Sequence, residues 1–176
     1  HFARIPGVTT HPTSLARGQY WLGRAAEAAG RGREAHRHYR VAGQYTAAYY
    51  GQLARARLGH RAVAMRRPPS LDPLRRATLR NVDLVRASEL LYATGNRDLV
   101  TPFVADLDRV DDVGVLTIIA ETAARHKDAR AMLAIGRSAL ARGFTLDQYV
   151  FPTFGLPKYV SIGPRAETSL VYAIAK

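Results

Sequence analysis

Apolar residues recur at helical spacing along nearly the whole chain, and no segment sustains the strict alternation of a half-buried strand. Ser14 or Thr13 is placed to cap a first helix that runs through Trp21 to about Ala29. Gly30-Arg31-Gly32 then breaks the pattern. A second helix is expected from about Arg33 to Ala42, with Ala35, Tyr39 and Ala42 on one face. A third runs from Ala47 to Leu58 and stops at Gly59, a residue suited to a left-handed end. Pro68-Pro69 and Pro73 make residues 60–73 a loop, and Asp72-Pro73 reads as a cap followed by proline at the first helical position.

Helical period resumes through Leu74, Leu79, Val82, Val85, Leu90 and Leu91 up to Gly95-Asn96. Another helix is expected over Asp98 to Leu107, with Pro102 in its first turn. Asp111-Asp112 opens the next, through Leu116, Ile119 and Ala123. Asp128 opens one more, through Met132, Leu133, Ile135 and Leu140, which Gly143 ends. Helices of this length with short breaks predict an all-α fold: a superhelical α-solenoid of helix pairs over residues 1–143. Leu22-Gly23, Gly30, Ala35, Tyr39 and Ala42 fall near the spacing of a tetratricopeptide-like pair, with small residues where helices approach closely. Residues 144–165 mix Phe144, Tyr149, Phe151 and Phe154 with Pro152, Pro157 and Gly155, and read as a connector. Residues 166–176 read as the opening turns of a buried helix, with Leu170, Val171 and Ile174 on its apolar side.

Charge changes the picture. Residues 1–82 hold fifteen Arg against three acids, a net +12; residues 83–176 balance eleven basic residues against eleven acids. A basic half invites a nucleic-acid reading. Against it, 23 of the 26 basic residues are Arg and the longest basic runs are the pairs Arg66-Arg67 and Arg75-Arg76. Attraction to another anionic polymer needs the same charge. No apolar run approaches the length of a membrane span. Zero cysteines exclude disulfides and thiol chemistry.

Catalytic constellations are absent from the pattern. Glu167 beside Thr168-Ser169 reads as a first-turn acid near a capping hydroxyl. His36 and His38 are two apart on a helix and point in different directions, so they make no metal pair. His11, His60 and His126 are isolated. Asp106, Asp108, Asp111 and Asp112 lack the glycine turn and closing Glu of a calcium loop. No phosphate-binding glycine loop occurs. The aromatic stretch Tyr20, Trp21, Tyr39, Tyr45, Tyr49 and Tyr50 reads mainly as helix packing with polar tips in water, and it also offers rings that stack on sugar faces. Tyr49 and Tyr50 are neighbours on one helix, so at most one points into the core.

Two segments carry a family resemblance. Tyr20-Trp21-Leu22-Gly23-Arg24-Ala25 is followed by Tyr49-Tyr50-Gly51-Gln52-Leu53-Ala54, which closes with Leu58-Gly59. Further on stand Phe151-Pro152, Leu156-Pro157, Tyr159 and the run Leu170 to Lys176. In order and separation these resemble the helical region, linker and first catalytic helix of the soluble lytic transglycosylases of Gram-negative bacteria. In that family the helix continues into Arg-Gln-Glu-Ser, whose Glu is the sole acid/base. Lys176 stands at the Arg position, so the resemblance implies that the catalytic Glu lies just beyond Lys176 and that no catalytic residue falls within the chain.

The resemblance implies a periplasmic enzyme whose signal peptide lies upstream of His1. It cleaves the β-1,4 bond between N-acetylmuramic acid and N-acetylglucosamine in peptidoglycan and leaves a 1,6-anhydro product, with no cofactor or metal. One Glu protonates the leaving oxygen and then takes the proton of the attacking 6-hydroxyl. On this reading the chain stops before the lysozyme-like catalytic domain. It supplies a scaffold that guides glycan strands, with other cell-wall enzymes as further partners. The alternatives are a helical-repeat adaptor that binds a partner protein and a basic nucleic-acid-binding module. The helical reading itself predicts far-ultraviolet circular dichroism dominated by helix; a substantial strand signal contradicts it.

Overall fold

The computed structural model describes residues 1–62, 65–152 and 154, and every regular element among them is helical. Helix α1 spans Pro12–Ala28, α2 Gly32–Ala42 and α3 Tyr49–Arg57. After a long irregular stretch come α4 (Pro73–Arg80), α5 (Asp83–Ala93), α6 (Val100–Ala105), α7 (Val113–Arg125), α8 (Ala129–Ala141) and α9 (Asp147–Val150). Single 3-10 turns occupy Phe2–Gly7, Arg97–Leu99 and Leu107–Arg109. The expected helix over 166–176, Glu167 and most of the connector lie outside the described residues.

Helix starts follow local chemistry, with one shift. Asp72 accepts from Arg75 N at 2.9 Å ahead of Pro73, Asp112 accepts from Gly114 N at 2.8 Å, and Asp128 accepts from Ala131 N at 3.0 Å. Helix α1 starts before Thr13 and Ser14, at Pro12 behind His11. Proline presets a helical φ and has no N–H to leave unpaired there. Gly59 and Gly143 both take φ of +83°, the left-handed stop expected of them.

The helix expected through Leu74 to Leu91 is two helices. Val82 is extended, with φ −68° and ψ 131°, and divides α4 from α5. Packing supplies the reason. Leu79 and Val85 are both buried in one core, yet six residues apart on a continuous helix they would face about 120° from each other. The break lets both point inward. The segment expected over Asp98–Leu107 keeps only α6 as true helix, flanked by 3-10 turns, yet Val100, Val104 and Leu107 still share the buried side.

Helix packing falls into two sets, α1–α3 and α4–α9. The second set holds the larger core, with Leu116, Ile119, Ile135 and Leu146 almost fully enclosed. Each such side chain stabilises by about 1.5–3 kcal/mol relative to exposure. The first set has no buried Leu, Ile or Phe; its core is Tyr20, Tyr39 and the alanines Ala26, Ala35, Ala42 and Ala54. Here close approach replaces bulk. A Cβ on Gly23 would lie 2.6 Å from the Tyr39 ring, and one on Gly51 would lie 2.0 Å from the Tyr45 carbonyl oxygen. Gly51 belongs to the Tyr-Tyr-Gly-Gln-Leu-Ala string, so that string has a packing reason.

A polar clasp completes the set. Tyr39 Oη on α2 donates to Glu27 Oε2 on α1 at 2.8 Å, and Arg57 Nη1 on α3 donates to the same carboxylate at 3.0 Å. Burial and the Glu27 bond together push the Tyr39 hydroxyl up to about 12. The Tyr39 bond, helped by Arg57 and Arg24, holds Glu27 below the usual carboxylate range.

Gly51→Ala should destabilise more than Gly23→Ala. At Gly51 the added methyl meets backbone, which cannot swing aside, whereas at Gly23 it meets a ring that can shift at an overpacking cost of about 1–3 kcal/mol. Helix propensity returns up to about 1 kcal/mol in either variant. Thermal melts of the two variants check the order; equal melting temperatures would remove the backbone argument.

Candidate functional site

The aromatic stretch of the first helix set forms one continuous surface feature. Phe2 stacks on Trp21 with centroids 6.1 Å apart and planes at 15°. Trp21 meets Tyr50 at 6.3 Å, and Tyr50 meets Tyr49 edge-on at 5.2 Å. Tyr20 lies beneath, 5.7 Å from Trp21 and 5.4 Å from Tyr50. Tyr20 and Tyr39 are buried, while Phe2, Trp21 and Tyr49 stay 40%, 38% and 65% exposed. Tyr50 packs on the core and Tyr49 points out, as adjacent helical positions require. Tyr45 is half-buried and takes no part in the ring series. Phe2 escaped notice in the sequence because it stands alone, far from the other rings along the chain.

Positive charge is sorted by structure. Arg24 and Arg57 meet Glu27, and Arg31 meets Glu34. Three arginines of the basic half reach acids of the balanced half: Arg66 to Asp147, Arg75 to Asp112 and Arg76 to Glu121. Arg33, Arg37 and Arg40, on the exposed side of α2, have no ion pair among the described residues. The surplus is therefore concentrated on the first set.

Asp147 is the residue the sequence reading missed. Its side chain is fully enclosed. It accepts from Arg66 Nε at 2.9 Å, Arg66 Nη2 at 2.7 Å, the Arg66 backbone N–H at 3.3 Å and the Thr46 hydroxyl. Burial by itself would raise this carboxyl; the bonds from Arg66 and Thr46 outweigh it and hold the group below its ordinary range. A signal was available. Asp147 is the one acid between Phe144 and Phe154, and a charge in such a stretch needs a partner.

The other polar residues singled out in the sequence have structural duties. His38 Nδ1 pairs with Gln19 Oε1 at 2.8 Å, and His36 is exposed. His126 lies flat on Tyr92 at 4.1 Å. Burial pushes the Tyr92 hydroxyl up, reinforced by Asp128, to which it donates at 3.1 Å. Asp108 accepts from Ser138 Oγ at 2.6 Å, Asp112 caps α7, and Asp111 is almost wholly exposed. Arg142 Nη1 lies 3.0 Å from the Asp108 carbonyl oxygen and 4.0 Å from the Asp111 carboxylate. No group of His, Cys, Asp or Glu able to hold a metal occurs among the described residues. No helix among them is long and apolar enough to cross a membrane.

Comparison with family models, with curated proteins and with solved structures finds no match. Sequence pattern and geometry therefore carry the functional argument.

Asp147 makes a pH prediction. A carboxyl depressed in the folded state stabilises above its unfolded value near 4, and the contribution fades as pH falls through the folded value. Asp147→Asn should flatten that acid limb. At neutral pH it should cost toward the low end of about 3–5 kcal/mol, since Arg66 keeps 28% exposure. Urea unfolding from pH 7 to pH 3 checks both points; an unchanged acid limb refutes the assignment.

Proposed function

We propose that this chain is the scaffold and glycan-guiding region of a soluble lytic transglycosylase. The aromatic face of the first helix set carries this reading. Exposed Phe2, Trp21 and Tyr49 offer ring faces of the kind that pack on pyranose C–H surfaces. Arginines on α2 of the same helix set with no ion pair among the described residues supply attraction to the carboxylates of stem peptides. The Gly23–Tyr39 approach of α1 and α2 supports a tetratricopeptide-like pair, and the solenoid proposal extends that pairing along the chain. The role is binding and positioning; the acid/base Glu belongs to the enzyme's catalytic domain.

Four outcomes follow from this proposal. Incubated with purified sacculi, the protein should release no anhydromuropeptides above a buffer control. Product that disappears in Glu167→Gln would overturn the scaffold role. Sacculus binding should weaken as salt rises from about 0.01 M to 0.1 M, because the Debye length shrinks from about 30 Å to about 10 Å. Reversing Arg33, Arg37 and Arg40 to Glu should weaken it more than reversing Arg125, Arg130 and Arg137, which are also exposed but lie in the balanced half. Trp21→Ala with Tyr49→Ala should weaken binding at every salt concentration. If all these variants bind like the parent, glycan guidance fails. Tighter binding to duplex DNA at equal ionic strength would favour the nucleic-acid alternative.

A further inference from the structure

A pocket of about 440 Å³ opens between the C-terminal ends of α2 and α3 and residues His60, Met65 and Arg66. Arg40, Arg55, His60 and Arg66 line it, with Thr46 and Gly43. Among the described residues, none that lines it is acidic. The nearest carboxylate in this network, Asp147, is already bonded to Arg66 and Thr46. Arg40 and Arg55 have neither an ion pair nor a hydrogen-bonded carbonyl among the described residues. Arg55 Nε is sealed from solvent and without a hydrogen-bond partner among them.

The plain alternative is that Arg40 and Arg55, both in last turns, merely offset two helix dipoles. The magnitudes do not support it as the whole account. Each helix end carries about half a negative charge, so two ends cancel about one of the two arginine charges. Arginines acting as C-caps would also bond the last carbonyls, and these two do not. Gly43 adds a shape argument. Its missing side chain lets the Arg55 stem lie close, since a Cβ there would come within 3.2 Å of Arg55 Cγ.

We propose that this pocket binds an oxyanion group, carboxylate or phosphate, held by Arg55 and Arg40, with His60 at its edge. Guanidinium groups grip both anions through charge-assisted hydrogen bonds. The site shares Arg40 with the basic face of α2 but none of the exposed rings, and its test reads Arg55 and Gly43, which the glycan-guiding reading does not use.

The test is titration followed by ¹H–¹⁵N spectra of the arginine Nε–H groups, at constant ionic strength with chloride as control. The probes are inorganic phosphate, a short peptide with a free C-terminal carboxylate, and the same peptide amidated. Saturable shifts at Arg55 Nε with phosphate or with the acid peptide support the site. A response to the acid peptide that is lost on amidation identifies carboxylate as the source; a response to phosphate alone identifies phosphate. Arg55→Gln should weaken binding by about tenfold or more, the loss of charge-assisted bonds. Gly43→Ala keeps every charge and crowds the Tyr39 carbonyl and the Arg55 stem, so it should weaken binding by less than Arg55→Gln does while circular dichroism stays that of the parent. No saturable shift with either anion overturns the proposal. So does unchanged affinity in a folded Arg55→Gln protein.

Discussion

The enclosed carboxylate of Asp147 sits where the two helix sets meet, and its partners come from the far side of the boundary. Thr46 lies in the turn between α2 and α3, Arg66 lies in the stretch that leaves the first set, and Asp147 opens α9 in the second. Among the described residues the sets share no apolar core; each buries its own cluster. A charge so enclosed costs several kcal/mol unless its partners are in place. The network therefore acts as a condition on assembly. Both sets must be formed and correctly set against each other before that carboxylate is satisfied.

The same network shapes the basic pocket. Arg66 is committed to Asp147 and forms one wall. Arg40 and Arg55 line the same pocket, and no acidic residue among the described ones joins them there. Elsewhere, the acids of the second set draw off arginines of the first, as Asp112 does with Arg75 and Glu121 with Arg76. Among the arginines with no ion pair among the described residues, Arg33, Arg37 and Arg40 share the outer face of α2, and Arg40 and Arg55 line the pocket beside its end.

The first set shows how a small core can hold with little aliphatic bulk. Alanines and Gly23 bring α1 and α2 together, Tyr39 fills the space beside them, and Glu27 ties all three helices through Tyr39 and Arg57. The rings that do not fit inside, Trp21 and Tyr49, are left at the surface beside Phe2. The fold that buries Tyr20 and Tyr39 is also what aligns their neighbours outward.

Helix type and most helix ends were legible in the sequence, because period and capping are local. Asp72, Asp112 and Asp128 cap where their positions imply, and Ala35, Tyr39 and Ala42 share a buried face at helical spacing. The charge asymmetry was equally plain, since counting requires no geometry. Tertiary structure decided what depends on residues distant in the chain. The break at Val82 answers to a core that wants both Leu79 and Val85. Phe2 joins Trp21 through a fold-back that no local pattern marks. Asp147 meets Thr46 across 101 positions and Arg66 across 81, and desolvation acts on such a group only once the chain has closed around it.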